Sequence, residues 1–480
     1  MWLFLVTLIL VSGAFLLRFQ FRAFFAIIGL NESERFRLIS GSIRNCERSF
    51  RIRFGPVRII GSCHPDVIQQ VLTHPDCLER PFFFRFTGLE RGLLSAEHRL
   101  WKHQRKILNP TFNVKILNSF IPIFEDYTGK MVQSLIPFAD GKSQINIFKY
   151  TSKSSMETIF GTTIGTDISE QSADFDLFFG YRRLLHLISK RMVNMHLYLD
   201  WIYRWTRDYR EERYLRKMCF DRADMFINKQ REALSGQNPT EDPESESYKK
   251  PQIFIRQLLD QSLGNYRFSD EEIYHNAYTI IVTGNDTTAL TVANGCLLLG
   301  LYPSVQDKVY EEILRIYPNR DVPITPDSLK QLNYTEMFIK ETLRLLPTVP
   351  NVAREATQDI QIDGQSVPKG TIFLLSLYEL HHRLDIWGNR FRDFDPENFL
   401  PDRAKDRHPF GYLPFGGGSR NCIGWRYALL AIKVMFVGLL RQFRIEFEMT
   451  LKLEGEHLIR LEKRSDIEED GHRTAYLERH

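Results

Sequence analysis

Apolar residues recur at helical spacing from about residue 112 to residue 346, which predicts a mainly helical body. The longest predicted helix starts at Ser269, where Ser269-x-x-Glu272 forms a capping box. Its pattern continues to about Gly300, roughly 45 Å at a rise of ~1.5 Å per residue, enough to cross the whole molecule. Alternating apolar residues fill only short runs, at residues 53–61, 360–362, 371–375 and 446–453. They predict a small β region beside the helices. Residues 235–251, SGQNPTEDPESESYKKP, contain no aliphatic side chain and read as a solvated loop between helices of one domain. Residues 425–440 are apolar on nearly every side except Arg426 and Lys433, the pattern of a buried core helix.

The N-terminus follows another rule. Residues 2–17, WLFLVTLILVSGAFLL, carry no charge, and Arg18 and Arg22 follow before a second apolar stretch. Phe19 and Phe21 extend this run toward the ~20 residues a membrane helix needs, with Arg18 reaching back to the headgroups. A cleaved signal peptide is the rival, but the run lacks a leading positive charge and a strong small-residue cleavage site. Basic residues after the span place the rest of the chain in the cytosol. The expected organisation is a membrane anchor over residues 1–30 and one large domain over residues 31–480.

Composition narrows the field only slightly. A formal net charge of +4 over 480 residues gives no reason to expect nucleic-acid binding. Six scattered cysteines, with no CxxC spacing, read as free and mostly buried thiols in a reducing compartment, Cys422 excepted.

Cys422 stands in Pro414-Phe415-Gly416-Gly417-Gly418-Ser419-Arg420-Asn421-Cys422-Ile423-Gly424. Three glycines permit left-handed backbone and close approach to a ligand. A cysteine at the start of a helix, with Arg420 nearby and the Ile423 and Gly424 N–H groups in reach, suits a stabilised thiolate that binds metal. Phe415, Gly418, Arg420, Cys422 and Gly424 resemble the haem-binding signature of the cytochrome P450 superfamily.

The resemblance implies a mainly α fold with a small β region and haem b ligated by the Cys422 thiolate, with Phe415 packed beside it. It implies that Thr287, within Thr283-Gly284-Asn285-Asp286-Thr287-Thr288, helps deliver protons to bound oxygen, with Asp286 supporting the relay. Gly284 would open the helix there. Trp101, Arg105, Arg354 and Arg420 would hold the haem propionates. Glu341 and Arg344 would form a buried structural pair, whose usual third member, an arginine, is replaced by Asn398; Arg403 or His408 could substitute. His381 and His382, being adjacent, read as structural. The region around residues 82–86 and the tip of the tail near Gly455 would border the substrate.

PENFLP at residues 396–401 and RHPFGYLPFG at residues 407–416 look most like the branch of fatty-acid hydroxylases and insect detoxifying enzymes. Many members of that branch carry a glutamate just before the helix glycine and esterify a haem methyl with it. Thr283 stands there in this chain, which predicts non-covalent haem. The implied reaction inserts one oxygen atom from O2 into an apolar substrate such as a fatty acid, steroid-like lipid or xenobiotic. No GxGxxG follows a strand, so electrons must come from a separate NADPH-cytochrome reductase, with cytochrome b5 as a second candidate donor. Lys102, Lys106, Arg426 and Lys433 would form its basic docking face. The implied location is the endoplasmic reticulum membrane. The alternative is a non-catalytic haem or lipid binder that retains the fold.

Overall fold

The computed structural model describes residues 32–54, 57–165, 172–235, 253–259, 266–447 and 457–464. The expected anchor and nearly all of the polar loop at 235–251 lie outside the described residues. Among the described residues no single helix is long and apolar enough to cross a membrane.

The predicted long helix is Asp270–Leu301, capped as expected. The Ser269 hydroxyl accepts the Glu272 N–H, and the Glu272 carboxylate accepts the Ser269 N–H at 2.9 Å. This helix is the axis of the molecule. Ile147–Thr163, Asn333–Leu345 and Trp425–Gln442 all pack against it. The contact with Ile147–Thr163 is unusually polar for a core. Thr151 donates to the Ala289 carbonyl at 3.1 Å and Ser155 to the Asn285 carbonyl at 3.0 Å. Small hydroxyls satisfied across the interface let two backbones approach without stranding a buried donor.

The main β-sheet has four strands, in the spatial order Phe50–Phe54, Val57–Ser62, Thr371–Ser376 and Asn351–Glu355. The single run expected over 53–61 is therefore a hairpin, Phe50–Phe54 turning back onto Val57–Ser62. The sheet covers a second, smaller core that includes Val67, Ile68, Leu72, Phe373 and Leu375. A three-stranded sheet joins Asp140–Asn146, Leu458–Lys463 and Phe443–Glu446. Asp140–Asn146, reading DGKSQIN, was not expected. It is an outer strand in which only Ile145 is buried, so apolar alternation does not mark it. The expected strand over 446–453 ends at Glu446, and residues 448–456, with the tail tip, lie outside the described residues.

Candidate active site

The loop before Trp425–Gln442 turns through left-handed backbone at Gly416 (φ 70°) and Gly418 (φ 67°). A Cβ on Gly418 would stand 2.0 Å from the Leu72 carbonyl oxygen, so this position excludes any side chain. The chain then closes on itself: the Cys422 N–H donates to the Phe415 carbonyl at 2.9 Å. Gly424 is the N-cap of the helix, so Cys422 precedes the first turn instead of opening it. Cys422 is exposed, yet burial pushes its thiol above the ordinary value, opposed by a hydrogen bond from the Gly424 N–H and by the charge of Arg105. Cys63, Cys77, Cys219 and Cys296 are buried free thiols and Cys46 is half-buried.

Arg105 and Arg420 find different partners around this loop. Arg105, on the helix His98–Leu108, donates to the Asn421 carbonyl and to Asn421 Oδ1, each at 2.9 Å. It fastens the loop one residue before Cys422 and supplies the positive charge that acts on the sulfur. Arg420 turns away. Its Nη2 donates to the Ala96 carbonyl at 2.6 Å, and its guanidinium lies 4.5 Å from the centroid of the buried Trp101 ring. Arg354, on Asn351–Glu355, is 2% exposed and Arg420 5%. Arg354 Nε and Arg420 Nε and Nη1 are enclosed with no hydrogen-bond partner among the described residues. Burial first, and repulsion from neighbouring arginines second, hold Arg354 well below the ordinary guanidinium range and Arg420 at about 9. Buried charged donors without acceptors cost upwards of ~1–3 kcal/mol each, so the arrangement favours an anionic ligand.

Asp270–Leu301 contributes one open face. Its centre is buried except at Thr283, Gly284, Asp286, Thr287 and Leu290, and the 283, 287, 290 spacing marks a single side of a helix. Thr283 and Thr287 each donate to the carbonyl four residues back, at 2.7 and 2.8 Å. Burial raises the Asp286 carboxyl above the ordinary value, and Arg182 draws it partly back. The helix continues unbroken through Gly284. A Cβ there would meet Ile159 Cδ1 at 2.8 Å, so the glycine serves close packing against Ile147–Thr163, not an opening in the helix.

The family model described as Cytochrome P450 matches residues 27–466. The chain belongs to the cytochrome P450 family. It is similar to cytochrome P450 4c21 of Blattella germanica, 33% identical over 82% of this chain and 79% of the relative. It is also similar to cytochrome P450 4V2 of Homo sapiens, 31% identical over 85% of this chain and 79% of that one. Probable cytochrome P450 313a4 of Drosophila melanogaster is 30% identical over 86% and 85%. As a cytochrome P450 the chain is a haem-thiolate monooxygenase that uses non-covalent haem b, a redox partner and a hydrophobic substrate. The residues present fit that cofactor: a sulfur under a backbone N–H, and buried guanidinium donors without acceptors on the Arg354 and Arg420 side.

The structural network of this P450 departs from the sequence expectation in its third member. Glu341 and Arg344 are fully buried and paired in a two-point ion pair, both contacts 2.7 Å. Asn398 occupies the usual arginine position by donating to Glu341 Oε1 at 3.1 Å. The supporting cation is Arg407, not Arg403 or His408. Arg407 donates to the Asn398 carbonyl at 2.8 Å and stacks 3.9 Å from the Trp387 ring centroid. Arg403 pairs instead with Asp395 and His408 with Asp66. His381 is structural: its Nε2 accepts the Leu413 N–H at 2.9 Å from full burial. Lys433 leaves the expected basic face altogether, because it is 6% exposed and bound to Glu336 at 2.8 Å. Sequence reasoning missed Arg80, whose Nε is also enclosed without a hydrogen-bond partner and whose charge acts on Arg354 and Arg420.

Proposed function

We propose that Cys422 would hold the haem iron through its thiolate, and that Thr287 and Asp286 would manage protons for the oxygen chemistry. The observations that support this reading are the exposed sulfur of Cys422 under the Gly424 N–H, the packing of the following helix Trp425–Gln442 against Asp270–Leu301, and the part-open stretch Thr283–Leu290 at the centre of the latter. When bound, thiolate-ligated haem supplies cleavage of the O–O bond and transfer of one oxygen atom to carbon. The protein's part is preparation. Gly416 and Gly418 shape the loop, the Gly424 N–H and Arg105 favour the charged sulfur, and Phe415 anchors the turn through its carbonyl. Arg354 and Arg420, with Trp101 supporting Arg420, would receive the propionates. Arg105 acts through the ligand loop.

Thr287 Oγ1 donates to the Thr283 carbonyl, so its oxygen is free to accept a hydrogen bond. Rotation about χ1 would release its proton toward the open face. Asp286, with its carboxyl raised by burial, can hold a proton one residue away. Thr287→Ala is therefore expected to keep full haem content and substrate binding. Product formed per reducing equivalent should drop by about tenfold or more, with peroxide or water taking up the difference. Unchanged coupling, measured as product against NADPH consumed, would remove Thr287 from proton delivery.

The substrate class we infer is an apolar lipid or xenobiotic. Phe82, Phe83 and Phe86 gather around Tyr198, with centroids 5.3 to 6.3 Å from its ring, in the region expected to border the substrate. A screen of fatty acids, steroid-like lipids and xenobiotics with reductase present tests the whole reading. No turnover of any class would favour the non-catalytic alternative.

An NADPH-cytochrome reductase, with cytochrome b5 as a second donor, fits the face carrying Lys102, Lys106 and Arg426, all exposed. Lys102 and Lys106 share one side of the helix that also carries Trp101 and Arg105. Reversing both lysines to glutamate is expected to raise the Michaelis constant for reductase severalfold at low salt and less at high salt. A salt titration that superimposes on wild type would exclude this face. The uncharged run at residues 2–17 followed by Arg18 and Arg22 supports an anchor in the endoplasmic reticulum membrane with the catalytic domain in the cytosol.

A further inference from the structure

Three tyrosines and a cysteine are buried together where the central helix Asp270–Leu301 meets the helices Ser172–Val193 and Arg207–Ser235. Tyr274 and Tyr278 stand one turn apart on the central helix, with ring centroids 5.8 Å apart. The Tyr181 ring, from Ser172–Val193, lies 5.2 Å from that of Tyr278. Cys219, from Arg207–Ser235, accepts a hydrogen bond from the Tyr278 hydroxyl. The Tyr181 hydroxyl is enclosed with no partner among the described residues. Burial raises all three phenols above the ordinary value, so each keeps its proton at rest.

The tyrosines differ in where that proton could go. Tyr278 is tied to a buried sulfur and Tyr181 to nothing. Tyr274 is the most exposed of the three, at 9%, and its ring lies 4.2 Å from that of the exposed Phe220. Only Tyr274 therefore borders water. At the other end, Tyr278 precedes Thr283 by five residues on one unbroken helix, about 7.5 Å along its axis. The pair runs from beside the open face to the surface.

We propose that Tyr278 and Tyr274 form a redox-active relay that returns electrons to the haem when hydrogen peroxide oxidises it with no substrate in place. The proposal rests on the haem placement given under the proposed function. Peroxide is the by-product of uncoupled turnover, and a small thiol is the final reductant. Tyr274 gives up one electron, which passes inward through Tyr278, and releases its phenolic proton to water. Tyr278 ends the step unchanged. A thiol then returns one hydrogen atom to the Tyr274 oxygen. Two such rounds reduce one peroxide to two waters, and the two thiyl radicals pair as a disulfide. Oxidising equivalents that would attack the macrocycle thus leave through the protein.

The test mixes purified ferric holoprotein with hydrogen peroxide in the absence of substrate. The readouts are the tyrosyl radical seen by electron paramagnetic resonance, the site of a spin-trap adduct by mass spectrometry, and the rate of haem bleaching. Wild type is expected to carry the adduct on Tyr274, and added thiol should slow its bleaching. Tyr278→Phe keeps the ring but removes the phenol, so it should lose most of the Tyr274 adduct and bleach severalfold faster. Tyr274→Phe should bleach as fast as Tyr278→Phe and gain no protection from thiol. Tyr181→Phe controls for packing: if it matches Tyr278→Phe in both readouts, the effect is one of packing and the proposal is overturned. An adduct on another tyrosine in wild type overturns it too, as does a Tyr278→Phe variant that behaves like wild type while keeping the thiolate band of its reduced carbon monoxide complex. A band that persists in Cys422→Ala instead overturns the haem placement, and the relay with it.

Discussion

Replacing Cys422 by alanine is expected to abolish both the thiolate absorption band of the reduced carbon monoxide complex and all reductase-supported oxygenation. Among the described residues no other cysteine is exposed. Cys63, Cys77, Cys219 and Cys296 are buried, and burial raises the thiol of each above its ordinary value. Cys422→His separates loss of haem from loss of thiolate. An imidazole would keep some haem but give the spectrum of a globin-like proximal ligand. A thiolate band that survives in Cys422→Ala would place the ligand elsewhere and end the assignment.

The second large effect concerns folding. Glu341→Ala is expected to destabilise the protein by about 3–5 kcal/mol, because it leaves Arg344 buried and charged without its partner. Domains of this kind are stable by only ~5–15 kcal/mol in total, so most of the protein should be lost at physiological temperature. Arg344 also donates to the carbonyls of His381 (3.0 Å), Phe391 (2.6 Å) and Asp393 (2.8 Å), which fixes the segment leading to the ligand loop. Arg344→Lys retains the charge but cannot serve a carboxylate and three carbonyls together, so it should recover only part of the loss. Glu341→Gln should fall between alanine and wild type, since an amide oxygen can still accept from Asp395 N–H and Asn398. Thermal melting with soluble yield measures all three. A Glu341→Ala variant that melts together with wild type would mean the pair is dispensable.

These two expectations draw on different layers of information. The Cys422 loop was legible because its chemistry is local. Gly416 and Gly418 take left-handed backbone within ten residues of the sulfur, and a short stretch of chain displays them together. The capping box at Ser269 and Glu272 was legible for the same reason, since a helix start depends on hydrogen bonds three residues apart. Gly284 was open to misreading. A mid-helix glycine signals that something comes close, but the neighbour, Ile159, lies on another helix.

Sequence alone determined the mainly helical body, the long central helix and the glycine-shaped Cys422 loop, because periodicity, caps and glycine geometry act over a few residues, while the Thr287–Asp286 pair was marked by the family resemblance. Tertiary structure decided how the charges are distributed. Arg105, distant in the chain, reaches the Cys422 loop, whereas Arg420, two residues from Cys422, turns to Trp101. Lys433 is drawn into the core by Glu336, and Arg407 replaces Arg403 and His408 behind Asn398. Long cationic side chains choose partners across several ångströms and between distant segments, and their energies depend on burial, which no local pattern encodes. Arg80 is the clearest instance. Nothing around it in the chain marks it as different from Arg85, and only the pairing of Glu79 with Glu355 brings it to Arg354.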